Sequence, residues 1–195
     1  MTVMMQAFFW DCPRAAQQEH QWWNHVRGHV AALAEAGFGA LWLPPVHKAA
    51  NLGGPSMGYD PYDFYDLGEF DQKGSVKTWF GSKDELLALI AAAHANGMDV
   101  IADFVVNHCS GADARELNPI TGEQRWTRFE PASGKFRRDW ECFLPNPYES
   151  WEEGSFGEMP DLSHRNPRVF GEILELARWL DEEIGFDGFR YDYVK

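Results

Sequence analysis

The sequence is poor in cysteine and in basic residues. Its 195 residues include three cysteines, Cys12, Cys109 and Cys142, with no C-x-x-C pair. So sparse and odd a set argues against a disulfide framework, and we expect ordinary core or loop thiols. The 17 Lys and Arg residues stand against 30 Asp and Glu residues, which gives a net charge of −13. This balance argues against nucleic acid and anionic membrane as partners, because phosphate binding needs clustered basic side chains. It suits a neutral substrate or a bound cation.

Long apolar runs and a leader sequence are also missing. The chain has no run of about 18 apolar residues, so no membrane span is expected. Residues 1–10 lack a basic start and a small-residue cleavage site, and so do not have the pattern of a signal peptide. We therefore expect a cytoplasmic protein, or a secreted one whose signal was removed. Aromatic residues are plentiful, at 15% of the chain, which favours either an aromatic-rich core or surfaces on which sugars stack.

Strand-like and helix-like segments alternate along the chain. The predicted strands cover residues 3–9, 40–43, 99–106 and 187–191, and the predicted helices cover 20–36, 83–95 and 168–184. Ser82 and Glu85 predict an N-terminal capping box for the second helix. Apolar strands separated by helices predict an α/β fold with a parallel sheet buried on both faces. The pattern fits the first four units of a (β/α)8 TIM barrel. A doubly wound open sheet is the alternative, but no G-x-G-x-x-G turn follows a strand.

The long segment between the third strand and the third helix divides the chain into three regions. Residues 1–107 are expected to hold barrel strands 1–3 with helices 1 and 2. Residues 108–166 are expected to form an inserted lobe, and residues 167–195 to hold helix 3 and strand 4. The insert is rich in Gly, Pro, Asn, Trp and charge and has no clear helical period. An insert of this length predicts a small subdomain or functional lobe rather than a plain loop.

Polar side chains collect where the predicted strands end. Asn107 and His108 follow the third strand, and Arg190 and Asp192 end the fourth. In a parallel barrel these strand ends meet at one rim, where catalytic groups lie. Arg190 and Asp192 are two residues apart and so share a strand face. The guanidinium would keep the carboxylate ionised, as a nucleophile requires; a purely structural ion pair is the alternative.

The same rim carries oxygen groups that could bind a metal ion. Asn107 offers an amide oxygen, and the acidic, Gly-punctuated stretch 149–161 offers carboxylates. Oxygen ligands of this kind are what Ca²⁺ prefers. A hydrogen-bonded structural His108 and a solvated acidic loop are the alternatives.

Five motifs, taken in order, carry a family resemblance. They are GFGALWLPP at 37–45, GYDPYD at 58–63, DFVVNH at 103–108, MPDL at 159–162 and GFRYDYVK at 188–195. In this order and spacing they resemble the α-amylase family of glycoside hydrolases, over nearly the whole chain. The loop that starts at residue 53 and the segment that follows it most resemble the endo-acting, liquefying-type α-amylases.

The resemblance implies a retaining hydrolase that cleaves internal α-1,4-glucosidic bonds of starch- or glycogen-type glucans. Asp192 is then the nucleophile, and Arg190 holds it ionised and oriented. His108 would hydrogen-bond the sugar at the cleavage subsite, and Tyr59 would stack against that ring. Lys195 would contact the sugar on the leaving-group side.

The resemblance also implies a structural Ca²⁺ that pins the inserted lobe to the barrel. Asn107 and Asp161 would be its side-chain ligands, with Glu152 and the Gly154 carbonyl as further ligands. Asp103 would support the network at the strand ends.

The family carries its acid/base Glu after the fifth strand, beyond residue 195. A retaining glycosidase needs that second carboxylate. We therefore expect the chain to be the N-terminal half of such an enzyme, inactive alone, and its open sheet edges to favour self-association. The alternatives are a non-catalytic α-glucan-binding module, or another specificity of the family such as α-1,6 cleavage or glucosyl transfer.

Overall fold

The computed structural model describes residues 3–13, 19–50, 56–150 and 159–193. Its elements are, in chain order, β1 (Val3–Gln6), α1 (Trp22–Arg27), α2 (Val30–Glu35), β2 (Phe38–Trp42), β3 (Lys48–Ala49), β4 (Pro61–Asp63), α3 (Lys83–Ala95), β5 (Asp99–Phe104), β6 (Ala114–Asn118), β7 (Glu123–Arg128), a 3₁₀ turn (Trp140–Cys142), α4 (Pro167–Trp179), a π-helical turn (Leu180–Ile184) and β8 (Gly188–Tyr191).

The central sheet contains β1, β2, β5 and β8, paired in that order and all parallel. Each neighbour in the sheet is also the next sheet strand along the chain, with helices in the connections. A doubly wound sheet instead reverses its strand order at a switch point. The unreversed order is that of successive strands in a (β/α) barrel, and the fold is a partial TIM-type barrel.

The helix α3 begins and ends as its sequence predicts. The Ser82 hydroxyl accepts a hydrogen bond from the Glu85 amide, and the Glu85 carboxylate accepts one from the Ser82 amide, so the predicted capping box is confirmed. Its buried face packs into the core through Leu86, Leu89 and Ile90. α3 and α4 have 13 residues each, and no helix in the described part of the chain is long and apolar enough to cross a membrane.

The prediction of one continuous helix over residues 20–36 is wrong. The chain forms two short helices, α1 and α2, separated by a turn at Gly28 and His29. The His29 amide donates to the carbonyl of Val26, three residues back, which tightens the backbone out of the α-helical pattern. The buried side chains of Trp22, Val26 and Val30 lie on both sides of the turn. Apolar spacing therefore continues across a break in the hydrogen bonding.

The other boundaries shift by a few residues. The first strand ends at Gln6 and the third at Phe104, each earlier than predicted, because sheet pairing stops there. The last predicted helix finishes in the π-helical turn, after which Gly185 adopts a left-handed φ of 92°. All three cysteines are buried and free, as expected.

The described residues between 108 and 166 contain an antiparallel hairpin of β6 and β7. The segment leaves the sheet at His108 and returns at Asp161, and these two residues form an isolated β-bridge. The Leu162 amide donates to the Asn107 carbonyl at 2.8 Å, and the Cys109 amide to the Pro160 carbonyl at 3.1 Å. The excursion is therefore closed at its base by backbone hydrogen bonds.

The outer strands of the sheet are β1 and β8. Val3 and Met4 on β1 and Tyr191 on β8 are large apolar side chains that are exposed. In the described part of the chain, no strand pairs with the outer edge of either one.

Candidate active site

The ends of β5 and β8 bring two aspartates to one arginine. The parallel register places Asp103 opposite Arg190. The Arg190 Nη1 atom donates to Asp103 Oδ1 at 3.0 Å and to Asp192 Oδ1 at 2.6 Å. The shared strand face expected for Arg190 and Asp192 thus becomes a direct contact, and Asp103 joins it from the neighbouring strand.

Asp103 is the buried centre of this network. Its Oδ2 atom accepts a hydrogen bond from the Tyr59 hydroxyl at 2.7 Å and another from the Trp42 indole at 3.1 Å. Burial raises the pKa of the Asp103 carboxyl, against the lowering effect of Tyr59 and Arg190. The pKa of Tyr59 is raised well above its ordinary value by burial and by the Asp103 carboxylate. Tyr59 therefore remains a neutral hydroxyl that donates to Asp103.

Asp192 differs from Asp103 in its accessibility. The Asp103 side chain has no exposed surface, whereas 19% of the Asp192 side chain and 35% of the Arg190 side chain are exposed. Arg190 also lies over the ring of Trp42 at 5.0 Å. Burial disfavours its charge, but the hydrogen bonds to Asp103 and Asp192 prevail and raise the pKa of Arg190. Asp192 is thus a reachable carboxylate beside a permanently charged guanidinium.

The second oxygen of Asp192 is left for other partners. Oδ1 is held by Arg190, while Oδ2 receives no hydrogen bond from any described residue. The Asp192 amide donates to the Phe104 carbonyl at 3.2 Å, which fixes the backbone at this point. An anchored carboxylate with one uncommitted oxygen, in contact with a guanidinium, has the geometry that a nucleophile requires.

Two tryptophans, Trp42 and Trp10, also belong to this site, and no role was predicted for either from the sequence. Trp42 contacts both Asp103 and Arg190. Trp10 is exposed and lies nearly parallel to the Tyr59 ring, with 6.0 Å between ring centroids. Their positions in the sequence could have indicated this role. Trp42 is the last residue of β2 and Trp10 lies shortly after β1, so both are at the strand ends that form the rim.

His108, Asn107 and Asp161 form a second cluster next to the first. The His108 Nε2 atom is hydrogen-bonded to the Tyr59 carbonyl at 2.8 Å, which links the two clusters. The Asn107 amide nitrogen donates to Asp161 Oδ1 at 3.1 Å. All three of these side chains are buried. The structure thus brings together the sequence-predicted residues at 59, 107, 108 and 161.

Two of the four expected calcium ligands, Asn107 and Asp161, lie in the described part of the chain. Asn107 and Asp161 lie side by side and both carry oxygen donors, so their chemistry fits Ca²⁺, which takes 6–8 oxygens. Glu152 and Gly154 lie outside the described residues, as does Lys195. Within the described ranges, no group of three or more His, Cys, Asp or Glu side chains could hold a metal ion. Asn107 and Asp161 can therefore supply part of an oxygen ligand set.

The segment that carries Tyr59 is held from behind by His47. The Nε2 atom of this buried imidazole is 2.9 Å from the Gly58 carbonyl. Burial lowers the pKa of His47 to about 4, so the ring is neutral near pH 7. Gly58 has a φ of 84°, and a Cβ at this position would lie 2.7 Å from the Cβ of Pro45. Glycine is therefore required directly before Tyr59.

Fold and site together define a barrel protein of parallel β/α units, with an accessible carboxylate, an arginine and aromatic rings at the carboxyl ends of its strands. Catalytic groups of barrel enzymes lie at that end. The family model of the alpha amylase catalytic domain matches residues 22–195, and the chain belongs to this family.

Similar proteins include alpha-amylases and a glucanotransferase. The chain is 34% identical to the cytoplasmic alpha-amylase of Escherichia coli (strain K12) over 239 residues, covering 99% of this chain and 47% of the relative. It is 33% identical to an alpha-amylase of Bacillus licheniformis, covering 99% and 45%. A 4-alpha-glucanotransferase of Thermotoga neapolitana is 28% identical, covering 87% and 37%. The chain thus spans about half the length of the first two relatives.

Solved structures show the same fold. A noncanonic maltogenic alpha-amylase from Thermotoga neapolitana superposes with a TM-score of 0.64 at 20% identity, covering 100% of this chain and 39% of the other. An alpha-amylase from Geobacillus thermoleovorans, solved in complex with acarbose, gives a TM-score of 0.61 at 25% identity, covering 98% and 39%.

Proposed function

We propose that this chain contributes the nucleophile to a retaining glycoside hydrolase that cleaves internal α-1,4-glucosidic bonds of starch- or glycogen-type glucans. The observation that carries the proposal is the contact between Arg190 and Asp192 at 2.6 Å, in which Asp192 stays accessible while Asp103 is buried. The family membership and the alpha-amylase relatives support it.

In this proposal, Asp192 attacks the anomeric carbon of the bound sugar. The bond from that carbon to the leaving-group oxygen breaks, and a covalent glycosyl–enzyme forms on Asp192. Arg190 keeps the attacking carboxylate ionised and fixes one of its oxygens, so that the other faces the substrate. Tyr59 stacks against the sugar ring and His108 hydrogen-bonds it, while Lys195 contacts the leaving-group side.

The leaving group also needs a proton. Retaining enzymes take it from a second carboxylate about 5–5.5 Å from the nucleophile. The carboxylate that shares Arg190 with Asp192 is Asp103, whose oxygens are engaged by Tyr59, Trp42 and Arg190 in a site closed to solvent. Asp103 is therefore a supporting group, and we propose that the acid/base lies outside these 195 residues.

A calcium ion is part of the same proposal. Asn107 and Asp161 would hold it together with Glu152 and the Gly154 carbonyl. The ion would tie the segment around Asp161 to the end of β5, next to His108. Calcium addition should then raise the melting temperature of the chain, and Asp161→Asn should remove that gain. An equal gain in the variant contradicts the assignment.

The experiment separates binding from turnover. Isothermal titration of the purified chain with maltoheptaose should show binding, and Tyr59→Ala should weaken it, whereas β-linked cellohexaose should not bind. No starch hydrolysis is expected from the chain alone. If the chain does hydrolyse starch and Asp192→Asn abolishes this activity, the proposal that the acid/base lies outside these 195 residues is contradicted. Absence of maltoheptaose binding contradicts the glucan function itself.

Glucosyl transfer is the second candidate, because a 4-alpha-glucanotransferase is among the relatives. The same glycosyl–enzyme would then pass its sugar to another glucan rather than to water. Chromatography of the products separates the two activities in any form of the enzyme that turns over: maltoheptaose gives shorter products in hydrolysis, and both shorter and longer products in transfer. A non-catalytic glucan-binding module would bind and form neither.

We also propose that the exposed edges of β1 and β8 favour association of the chain with itself. Unpaired strand edges present free backbone donors and acceptors that another strand can pair with. Size-exclusion chromatography should show species larger than a 22.3 kDa monomer. A well-behaved monomer with cooperative unfolding contradicts this expectation.

A further inference from the structure

His47 lies behind the segment that carries Tyr59, in a part of the chain that is itself fixed. Its neighbour Lys48 begins β3, and the Lys48 ammonium lies 3.3 Å from the buried Asp66 carboxylate. The His47 ring packs edge-on against the ring of Phe64, with 5.5 Å between ring centroids. The imidazole is therefore held in one place both by its neighbour in the chain and by the core.

Among the described residues, only His47 donates a hydrogen bond to the Gly58 carbonyl. The Nε2 atom is 2.9 Å from that oxygen, and because a carbonyl oxygen only accepts, Nε2 carries the proton. A neutral imidazole has one N–H group, so Nδ1 is then unprotonated. Burial lowers the pKa of His47 to about 4, so the ring is neutral at pH 7. One tautomer of His47 therefore makes the contact.

Three successive carbonyls, those of residues 58–60, each accept a hydrogen bond. The first is bonded by His47, the second by the His108 Nε2 atom at 2.8 Å, and the third by the Ala50 amide at 2.9 Å. His47 and Ala50 lie on either side of β3, which pairs with β4. The first and third carbonyls are therefore held from one short segment, which the sheet pairing keeps in place.

The Tyr59 side chain is fixed at its far end instead. Its hydroxyl donates to Asp103 at 2.7 Å, and its ring lies nearly parallel to the ring of Trp10, with 6.0 Å between centroids. Gly58 has a φ of 84° and no side chain, so only its peptide groups can fix it. Loss of the His47 contact would release the backbone end of Tyr59 while the hydroxyl stays bound, and the ring would tilt.

We infer that His47 is a positioning residue for sugar binding: its Nε2–H group fixes the Gly58 carbonyl and thereby the angle at which the Tyr59 ring meets the sugar. His47 is buried and touches no substrate, so it acts through Tyr59. This role rests on the glucan function proposed above, and adds to it a residue that none of the five sequence motifs contains.

The first test compares changes at position 47 by isothermal titration with maltoheptaose at pH 7. His47→Leu removes the donor and should weaken binding about fivefold, which corresponds to the net value of one hydrogen bond. His47→Gln carries an N–H group at a similar reach and should stay within about twofold of the parent chain. His47→Asn, whose amide is too short to reach Gly58, should behave like His47→Leu.

A matched control separates positioning from stability. Ser82→Ala weakens the cap of α3 without touching the Tyr59 segment, so it should lower stability and leave the affinity of the folded chain for maltoheptaose unchanged.

A double-mutant cycle shows whether His47 acts through Tyr59. Binding to the Tyr59→Ala chain is weaker and is followed by NMR titration. In that chain, adding His47→Leu should cause no further loss of affinity, because the ring that His47 positions is gone. An equal loss with and without the tyrosine overturns the positioning role, because His47 would then act elsewhere.

Two NMR signals test the same role without a sugar. The indole N–H signal of Trp10, identified by its loss in Trp10→Phe, should shift in His47→Leu and stay in place in His47→Gln, because Trp10 faces the Tyr59 ring. In the parent chain, the ¹⁵N signals of the His47 ring should show a protonated Nε2. A ring protonated at Nδ1 cannot donate to Gly58 and overturns the contact, and this measurement does not depend on the folding of any variant.

The binding results separate the role of His47 from the glucan function. If the parent chain binds maltoheptaose and His47→Leu binds it equally, the positioning role is overturned and the glucan function stands. If the parent chain does not bind maltoheptaose, both are overturned.

Discussion

Lys48 and Arg190 each hold an aspartate, but the two ion pairs are built in opposite ways. The Lys48 Nζ atom lies 3.3 Å from Asp66, and neither side chain has any exposed surface. The same ammonium donates to the carbonyls of Ser75 at 2.8 Å and Val76 at 2.6 Å. The three N–H groups of the ammonium are therefore all engaged, and they hold the loop of residues 66–77 in place.

Arg190 is shared between two carboxylates with different surroundings. Asp103 is buried and held by two further donors, Tyr59 and Trp42, whereas Asp192 is partly exposed and holds one oxygen in reserve. Both sites pair a cation with a carboxylate, so charge pairing alone does not separate a structural aspartate from a candidate nucleophile. The two aspartates of the Arg190 network differ in accessibility and in the number of engaged oxygens. Substitutions can test whether this difference separates structural from functional carboxylates, and they are given from the largest expected effect to the smallest.

Removing the ammonium should break the buried pair most severely. Lys48→Met leaves the Asp66 carboxylate buried without its cation, which should lower the free energy of unfolding by about 3–5 kcal/mol. Urea denaturation measures the loss. Lys83→Met, which removes a partly exposed pair with Glu69, is the matched control and should cost less than about 1 kcal/mol. Equal small losses in the two variants would show that the buried pair of Lys48 and Asp66 does not stabilise the fold more than an exposed pair does.

The two aspartates of the Arg190 network should respond differently to the same change. In Asp103→Asn, one orientation turns the new NH₂ group toward Arg190 and the other turns it toward Tyr59 and Trp42, so a donor always meets a donor. We expect a loss of about 2 kcal/mol in the free energy of unfolding. Asp192→Asn should cost less than about 1 kcal/mol. Urea melts of both variants decide the matter, and a larger cost at Asp192 would make it the structural member.

The buried imidazole of His47 should make the free energy of unfolding depend on pH. In the unfolded chain an ordinary histidine gains its proton below about pH 6.5, but the pKa of folded His47 is about 4. Between these values the unfolded state binds the proton and the folded state does not, so stability is lost as the pH falls. The loss due to His47 should reach about 2 kcal/mol at pH 5. Urea melts at pH 7 and pH 5 should show a smaller difference for His47→Gln than for the parent chain.

The capping box sets the scale for an ordinary local interaction. Ser82→Ala removes the hydroxyl that accepts from the Glu85 amide, and should lower the free energy of unfolding by about 1 kcal/mol. Thermal unfolding followed by circular dichroism measures it. A loss as large as that of Lys48→Met would mean that the buried pair has no special weight.

Features that depend on residues close together in the sequence were predicted correctly. The capping box of Ser82 and Glu85 lies within four residues, and its helix was predicted with both boundaries correct. The break at Gly28 and His29 was missed, because side-chain spacing reports which face is buried and not which amide bonds to which carbonyl. The early ends of β1 and β5 depend on where partner strands stop, which no single segment records.

The site shows the same division. The contact between Arg190 and Asp192 follows from strand alternation and was predicted from their spacing. The pairing of Asp103 with Arg190 depends on the register of β5 against β8, which is a property of the assembled sheet. Trp42 and Trp10 were missed because their place in the site depends on the groups they contact, the Arg190 guanidinium and the Tyr59 ring, which only the folded chain brings to them.

The closed base of the inserted segment has an evolutionary consequence. The chain departs at His108 and comes back at Asp161, with both ends joined in one bridge, so the distance between β5 and α4 does not depend on what lies between. Entropy of closure rises only slowly with length. A segment tied off in this way can be lengthened, trimmed or replaced between lineages while the strands beneath it keep their register.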